Sequence, residues 1–230
     1  SFKEEIMSKI LLVEDEENIR LFTKINLERE GFEVLEAESG EIGVELALKY
    51  NPQVVILDVM LPGIDGFEVC REKLPKIGII MLTAKTQDVD RINGLESGTD
   101  DYLSKPFNPV ELILRIKSLI RRLDSIQNSS DLINIYPFRL DLYSKSFYKD
   151  GKEIELTPTE LTIITIFMSN PGKAFSRNEL LNMTWGEEFE GDIKIVDVNI
   201  RRLRAKIEDN SSKPKYIETV WGTGYRWNSN

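Results

Sequence analysis

The sequence predicts an α/β protein with two domains: a doubly wound domain around a parallel five-stranded sheet, followed by an α+β winged helix-turn-helix domain. Over roughly the first 120 residues, short apolar runs alternate with helical stretches, which is the pattern of a doubly wound sheet. A polar segment at 124–130 interrupts this pattern, and a different order of predicted strands and helices follows it. We therefore place the domains at 7–123 and 131–230, with 124–130 as the linker.

The first domain is predicted from five apolar runs, each short enough to be a buried strand rather than a helix. They occupy 9–14, 34–38, 54–58, 79–83 and 102–105. Helices are predicted between and after them at 17–29, 40–49, 66–73, 87–97 and 109–122. Gly31 follows the first helix and Pro109 begins the last one, and these residue types are favoured at those positions.

The second domain is predicted from the change of pattern after the linker. Alternating segments over 133–156 indicate a small antiparallel sheet. Helices are then predicted at 158–169, 176–184 and 193–208, and a hairpin with a glycine turn at 216–227. Three helices followed by a hairpin form a winged helix-turn-helix.

The composition excludes several classes of site. The chain has 230 residues, a net charge of −9, one cysteine and no histidine. It therefore has no Ser-His-Asp triad, no His-ligated zinc and no phosphohistidine of its own. Its single cysteine, Cys70, excludes an intramolecular disulfide and suits a reducing cytoplasm. No apolar run approaches the ~18 residues of a membrane span, so we expect a cytoplasmic protein with no membrane partner.

Four polar residues lie where predicted strands end: Asp15, Asp58, Thr83 and Lys105. In an open parallel sheet, ligands bind beyond the carboxyl ends of the strands, so these side chains should converge at one edge. Taken singly, such residues can be ordinary solvated side chains. Together they can bind a divalent cation, accept a phosphoryl group on a carboxylate and respond to its arrival.

Mg²⁺ is the expected cofactor, because it prefers oxygen ligands and keeps several waters. We predict Asp15 as a direct ligand and Glu14 as a ligand either directly or through water. Asp58 would donate a further oxygen and be the nucleophile that accepts the phosphoryl group. Lys105 would supply a cation for the phosphoryl oxygens, and Thr83 a hydrogen bond. The Lys105–Pro106 bond is predicted to be cis, which would turn the lysine inward.

The first domain resembles the receiver domain of bacterial two-component response regulators, which has a flavodoxin-like fold. The motifs that carry the resemblance lie at 12–16, 57–63, 81–84 and 100–107. The resemblance implies that a partner sensor histidine kinase phosphorylates Asp58. It also implies a metal site formed by Glu14, Asp15, Asp58 and the backbone carbonyl of Met60.

The same resemblance implies a switch made of Thr83 and Tyr102. On phosphorylation, Thr83 would turn toward the phosphate and Tyr102 would swing into the space that it leaves. Met60 and Lys85, which lie two residues after Asp58 and Thr83, would control the lifetime of the phosphate through access of water.

A basic helix is predicted at 193–208. Apolar residues recur in it at helical spacing, so one stripe is expected to be core. The DNA contacts are predicted on the other faces: Asn199, Arg201, Arg202, Arg204 and Lys206. Arginine and asparagine can bind the edges of guanine and adenine, and the remaining cations can bind phosphates. On its own, this pattern would also fit an amphipathic helix with a solvated basic face.

The second domain resembles the winged-helix effector domain of the OmpR/PhoB family, through motifs at 156–161, 170–177, 180–186 and 222–227. By that likeness, 193–208 is the recognition helix for promoter DNA, and Arg226 in the wing reaches the minor groove or its phosphates. The loop at 185–192 would face RNA polymerase. Asn199 stands where the family commonly has histidine. The tryptophans are predicted to pack in the core or the hairpin rather than to stack on bases: Trp185, Trp221 and Trp227.

Coupling between the domains is predicted through a homodimer that forms on phosphorylation. The resemblance places the dimer face on the helix near 87–97, the strand at 102–105 and the helix at 109–122. Charged residues of both signs are interspersed there: Arg91, Glu96, Asp100, Asp101, Glu111 and Arg115. Opposite charges on such a face can specify the partner and the register. Without the resemblance, the same residues would be ordinary surface ion pairs.

The sequence therefore predicts a transcription regulator switched by phosphorylation, and not an enzyme. One alternative is a DNA-binding regulator whose receiver acts independently of phosphorylation. A second is a Mg²⁺-dependent phosphatase with Asp58 as nucleophile. Phosphatases of the haloacid dehalogenase type place a second aspartate two residues after the nucleophile, and here Met60 holds that position.

Overall fold

The structure of the protein, a computed structural model, describes residues 7–61, 66–84, 98–125 and 131–229. The chain divides into two compact units, with a boundary between Ile120 and Arg121. None of the described helices combines the length with the apolar character that crossing a membrane would require.

The first unit contains a parallel five-stranded sheet with the order β2-β1-β3-β4-β5. Its strands are β1 (Lys9–Val13), β2 (Glu33–Ala37), β3 (Val54–Asp58), β4 (Gly78–Thr83) and β5 (Asp101–Ser104). The central β3 is buried along its whole length, as expected for a strand covered on both faces. The register pairs Val13 with Leu57 and Asp58 with Leu82, so the carboxyl ends lie at one edge. The five predicted strands are confirmed.

Helices follow β1, β2, β3 and β5. They are α1 (Glu17–Arg29), α2 (Gly40–Tyr50), α3 (Gly66–Lys73) and α4 (Pro109–Ser125). The hydroxyl of Ser39 begins α2 by accepting a hydrogen bond from the backbone N–H of Ile42. The helix predicted near 87–97, with Lys85, Arg91 and Glu96, lies outside the described residues. Because α4 continues to Ser125, Asp124 and Ser125 of the predicted linker are helical, and 126–130 lie outside the described residues.

The second unit begins with an antiparallel sheet of β6 (Leu132–Ile135), β7 (Phe138–Asp141), β8 (Ser146–Lys149) and β9 (Lys152–Ile154). The helices that follow are α5 (Pro158–Ser169), α6 (Arg177–Trp185) and α7 (Lys194–Ile207). A second sheet has the order β10-β12-β11 and contains β10 (Ala174–Ser176), β11 (Ile217–Val220) and β12 (Gly224–Trp227). The predicted helices and hairpin are confirmed, whereas β10 is a strand that the sequence analysis missed.

Side-chain hydrogen bonds cap the N-termini of two of these helices. Thr157 accepts a hydrogen bond from the backbone N–H of Glu160 and so caps α5. Ser176 and Glu179 form a reciprocal capping box at the start of α6. A serine or threonine three residues before a glutamate satisfies the backbone N–H groups that the first turn of a helix leaves free.

Candidate functional site

A cluster of carboxylates lies at the carboxyl ends of β1 and β3. One oxygen from each of Glu14, Asp15 and Asp58 lies within 4.8 Å of the others. Glu14 and Asp58 are buried, whereas Asp15 is exposed. The three acids, predicted from the ends of two strands, are therefore brought together, with an open side at Asp15.

The ammonium group of Lys105 bridges the two buried carboxylates. Its Nζ lies 2.5 Å from Oε2 of Glu14 and 2.6 Å from Oδ2 of Asp58. Lys105 follows β5, and its backbone N–H donates to the carbonyl of Thr83 at 2.6 Å. The Lys105–Pro106 bond is cis, as predicted. A single cation therefore neutralises part of the charge of the acid cluster.

Burial and ion pairing shift the pKa values of these groups. Burial raises the pKa of Glu14, and the hydrogen bond from Lys105 only partly opposes this. Burial alone would lower the pKa of Lys105, but the hydrogen bonds to Asp58 and Glu14 raise it above its ordinary value. Independently of these shifts, three carboxylates surround one ammonium group, and this excess of acidic groups favours a bound cation.

The residues present fit Mg²⁺. Carboxylate oxygens are the ligands that this ion prefers, and the exposed side at Asp15 leaves room for the waters that it retains. Asp58 Oδ1 accepts a hydrogen bond of 2.9 Å from the backbone N–H of Met60, which holds the carboxylate in place. The side chain of Met60 is exposed beside it. The role of the Met60 carbonyl as a ligand stays a prediction.

Thr83 offers a hydroxyl group at the end of β4. The residue is fully buried, and its Oγ1 has no hydrogen-bond partner among the described residues. An unpaired buried hydroxyl is unfavourable unless a partner arrives. This hydroxyl is therefore available to an additional acceptor oxygen at the site.

Tyr102, the other predicted switch residue, is already buried on β5. The resemblance implies that Tyr102 moves inward on phosphorylation, but in this structure its side chain is already inward. Tyr102 lies within β5, where it is the register partner of Met81 on β4.

Arg20 is a residue of this site that the sequence analysis missed. Its guanidinium donates to the carbonyl of Glu14 at 2.9 Å, and Glu36 on β2 lies 3.6 Å from its Nε. It therefore fixes the turn between β1 and α1 that carries Glu14 and Asp15. The only signal in the sequence for this role is the position of Arg20, one turn into the first helix.

Asp100 does not lie on an exposed face, contrary to the prediction. Its carboxylate is completely buried and accepts hydrogen bonds from Arg71 at 2.6 Å and from the backbone N–H of Ile79 at 2.8 Å. Arg71 also donates to the carbonyls of Pro75 and Ile77. Asp100 thus connects α3 to the start of β4, because a buried carboxylate requires a charged partner.

The other predicted dimer residues that the structure describes form a network on α4 and β5. Arg115 donates to Asp101 at 2.9 Å and to Glu111 at 2.7 Å. Asp101 and Arg115 are buried, whereas Glu111 is partly exposed. Burial alone would lower the pKa of Arg115, but the two carboxylates raise it. Of this set, Glu111 is the most accessible to a partner.

Helix α7, the predicted recognition helix, buries two of the residues that were predicted to contact DNA. Asn199 is completely buried, and its amide donates to the carbonyl of Ile195 in the same helix. Arg202 is buried as well. Both predictions of direct DNA contact are wrong for this structure, because apolar neighbours such as Val198 widen the buried side of the helix beyond a single stripe.

Two further cations of α7 are engaged within the second unit. Arg204 donates to the carbonyl of Ile217 at 2.7 Å and to the hydroxyl of Thr219 at 3.0 Å, so it binds the hairpin. Lys206 lies 2.7 Å from the buried carboxylate of Glu160 on α5. These residues stabilise the unit, although Lys206 remains partly exposed.

Arg201 and Arg226 of the predicted set are exposed, as Lys206 is. Arg226 lies across the hairpin from Glu218, with Nε and Oε2 2.7 Å apart. Lys194 at the start of α7, which belongs to the predicted basic helix but not to the predicted contacts, is exposed. Arg177 at the start of α6 was missed; it is partly exposed and lies 2.7 Å from Asp197. Their position at helix starts, close to the predicted recognition helix, was the available signal.

The tryptophans differ in their environments. Trp185 and Trp227 are buried, as predicted, and Trp227 packs on Phe138 with ring centroids 5.3 Å apart. Trp221 is 91% exposed, so its predicted packing is wrong. It lies in the turn of the hairpin, where neither flanking strand covers it.

Comparison with known families matches both units. Residues 10–117 match the response regulator receiver domain, and residues 151–227 match the family described as transcriptional regulatory protein, C terminal. The first match contains the whole acid cluster, and the second contains α5, α6, α7 and the hairpin.

Known proteins are similar over nearly the full length. The transcriptional regulatory protein AfsQ1 of Streptomyces coelicolor is 42% identical over 222 residues, which cover 96% of this chain and 98% of AfsQ1. A mutant of RitR has a solved structure with a TM-score of 0.81 and 26% identity, covering 97% of this chain and all of that one. The response regulator DrrB of Thermotoga maritima, an OmpR/PhoB homologue, has a TM-score of 0.50 and 33% identity, with the same coverage.

Proposed function

The chain belongs to the OmpR/PhoB family of two-component response regulators, which are DNA-binding transcription regulators, and on this premise we propose that phosphorylation of Asp58 switches it. The observation that supports this most strongly is the position of Asp58, which is buried within the acid cluster and forms an ion pair with Lys105. The phosphoryl donor that the receiver family implies is the phosphohistidine of a partner sensor kinase. That histidine belongs to another protein, because this chain has none.

The chemistry that we propose is attack of one Asp58 oxygen on the phosphorus atom. The P–N bond to the kinase histidine breaks, an acyl phosphate forms, and the imidazole leaves with the bonding electron pair. Glu14, Asp15 and Asp58 would hold Mg²⁺, which when bound would supply positive charge against the carboxylates and the phosphoryl oxygens. Lys105, already hydrogen-bonded to Asp58, shifts its ammonium group to a phosphoryl oxygen. The Thr83 hydroxyl then gains the acceptor that it lacks.

In the second unit, we propose that α7 binds promoter DNA through Arg201, with Arg226 reaching the phosphates or the minor groove from the hairpin. The loop at 185–192 would contact RNA polymerase. Its acidic residues are exposed there, namely Glu187, Glu188 and Glu190.

We further propose that phosphorylation produces a homodimer through the first unit. A dimer would place two recognition helices on repeated half-sites and raise the affinity through effective concentration. A cytoplasmic location follows for a regulator that meets both its kinase and promoter DNA. Its family consists of transcription regulators, and the alternative of phosphorylation-independent action is not favoured.

The direct test is incubation of the protein with Mg²⁺ and acetyl phosphate, followed by intact mass and oligomeric state. We expect one phosphoryl adduct on the wild-type chain and on Glu17→Ala, which removes an exposed acid near the site. Asp58→Asn should show none, and dimer formation should follow the adduct. An adduct on Asp58→Asn, or no adduct on the wild type, would refute Asp58 as the acceptor.

A further inference from the structure

Two of the predicted metal ligands, Glu14 and Asp15, lie in the turn between β1 and α1, and the helix start that follows them lacks a side-chain cap. Glu16 precedes the first residue of α1, but its side chain makes no hydrogen bond to the first turn of the helix. One planar peptide group joins Glu14 to Asp15, so the backbone positions of the two residues are coupled. Whatever holds that peptide group therefore also sets where the two carboxylates lie.

The side chain of Arg20 holds this peptide group. Its Nη1 donates to the carbonyl of Glu14 at 2.9 Å and lies 3.5 Å from the carbonyl of Asp15. One guanidinium nitrogen therefore contacts the peptide groups on both sides of Asp15. The backbone N–H of Glu14 donates to the carbonyl of Ala37 on β2 at 3.0 Å. The turn is thus held from both α1 and β2, although the side chain of Asp15 is exposed.

Glu36 on β2 in turn holds Arg20. Nε of Arg20 lies 3.6 Å from one carboxylate oxygen of Glu36, and the other oxygen accepts a hydrogen bond of 2.7 Å from Lys24. Glu36 partly compensates the charge of the guanidinium, and dissolved salt screens part of what remains at this partly exposed position. We therefore expect the hydrogen bond to the Glu14 carbonyl to outweigh the repulsion between Arg20 and a bound cation.

We propose that Arg20 is a positioning residue for the phosphorylation of Asp58, because it fixes the turn in which Glu14 and Asp15 would hold Mg²⁺. This inference rests on the proposed function, since it requires that the acid cluster bind the ion. Hydrogen-bond partners of metal ligands commonly contribute roughly 10- to 100-fold to metal affinity. Arg20 contacts the backbone of the ligands rather than their carboxylates, so we expect a contribution of about 10-fold, at the lower end of that range.

The sign of the effect on Mg²⁺ affinity separates a positioning residue from a nearby repelling cation. If Arg20 acted only through its charge, Arg20→Met would tighten Mg²⁺ binding. As a positioning residue, its loss should instead weaken binding by about 10-fold in calorimetric titration of the full-length chain. Arg29→Met is the matched control, because it removes the same exposed group from the last turn of the same helix and should leave the affinity unchanged.

The rate of phosphorylation gives a second readout. The rate of adduct formation from acetyl phosphate is measured against Mg²⁺ concentration. For Arg20→Met, the concentration that gives the half-maximal rate should rise by about 10-fold. The maximal rate should stay within about 2-fold, because saturating Mg²⁺ refills the weakened site. A general loss of structure would lower the maximal rate without moving the half-maximal concentration.

Arg20→Lys separates geometry from charge. It keeps the positive charge but loses the planar fork that contacts Glu36 and the turn together, so it should recover only part of the Mg²⁺ affinity. If Arg20→Met does not fold, Arg20→Lys carries the same test, and an affinity equal to that of the wild type would then overturn the inference.

The outcomes separate this inference from the proposed function. Unchanged or tighter Mg²⁺ binding by Arg20→Met would overturn the positioning role alone, as would a lower maximal rate at an unchanged half-maximal concentration. A wild-type chain that binds no Mg²⁺ would overturn both the positioning role and the metal-dependent phosphorylation on which it rests.

Discussion

Lys105 and Asp58 form an ion pair in which Nζ and Oδ2 are 2.6 Å apart, and the same ammonium group reaches Glu14. The lysine thus occupies the acid cluster as an internal cation. A phosphoryl group added to Asp58 would draw it away from Glu14, because phosphoryl oxygens concentrate more negative charge than one carboxylate. The ion pair is therefore the first contact that phosphorylation would rearrange.

Replacing Lys105 should raise the affinity for Mg²⁺. Lys105→Ala removes a cation that competes for the oxygens of Glu14 and Asp58, so we expect binding to tighten by roughly 3- to 10-fold. Calorimetric titration with Mg²⁺ measures this. The control is Lys117→Ala, which removes an exposed lysine 2.8 Å from Glu30 and should leave the affinity unchanged. Weaker Mg²⁺ binding by Lys105→Ala would show that the lysine organises the site instead.

Replacing Thr83 should separate stability from signalling. Thr83→Val removes a buried hydroxyl that has no hydrogen-bond partner among the described residues. The free energy of unfolding of the unphosphorylated chain, measured by thermal unfolding, should therefore change by less than about 1 kcal/mol. The increase in DNA affinity after treatment with acetyl phosphate should nevertheless be lost or strongly reduced, because the phosphate then lacks its hydrogen-bond donor. A variant that responds fully would remove Thr83 from the switch.

Replacing Asp100 should destabilise the first unit rather than only weaken a dimer. Asp100→Ala leaves the guanidinium of Arg71 without its carboxylate and should cost about 3–5 kcal/mol of unfolding free energy. The comparison is Glu111→Ala, whose partly exposed ion pair should cost less than about 1 kcal/mol. Thermal unfolding followed by circular dichroism measures both. If the Asp100→Ala chain is stable but does not dimerise, Asp100 contributes to the dimer face, contrary to this prediction.

The hydroxyl of Tyr225 predicts a pH dependence in the second unit. Burial, and then the hydrogen bond to Asp197, raise the pKa of Tyr225 above the tyrosine value of about 10. The unfolded chain therefore loses this proton at lower pH than the folded one does. The stability contributed by the neutral hydroxyl is complete below about pH 10 and is lost as the pH rises through the folded-state value.

Tyr225→Phe should thus lower the unfolding free energy by about 1 kcal/mol at pH 7, and the difference should shrink above about pH 10. All three tryptophans lie in the second unit, so their fluorescence follows its unfolding separately. A difference that stays constant from pH 7 to pH 11 would contradict this account of the Tyr225–Asp197 contact.

The convergence of Asp15, Asp58 and Lys105 could be predicted because it depends only on strand ends. Once the runs are identified as parallel strands, topology places their carboxyl ends at one edge, whatever the details of packing. The cis bond before Pro106 and the helix starts at Thr157 and Ser176 were likewise accessible, since each depends on a local rule.

The orientation of individual side chains could not be predicted in the same way. Asn199 is buried because α7 is covered over more than the narrow stripe that its periodicity indicates, and the width of a contact depends on its neighbours. Asp100 turns inward because Arg71, far from it in sequence, supplies a charge there. Trp221 is exposed because it lies in the turn immediately after β11, although its large apolar ring favours the core.

The central claim is that phosphorylation of Asp58 controls DNA binding, and one measurement tests it most directly. The affinity for a duplex that the wild-type chain has selected from a random-sequence pool is measured with Mg²⁺, with and without acetyl phosphate, for the wild-type chain and Asp58→Asn. We expect phosphorylation to tighten binding by about 5- to 150-fold for the wild type and not at all for Asp58→Asn. Equal affinities of the phosphorylated and unphosphorylated wild-type chain would contradict the claim and indicate a receiver that acts without phosphorylation.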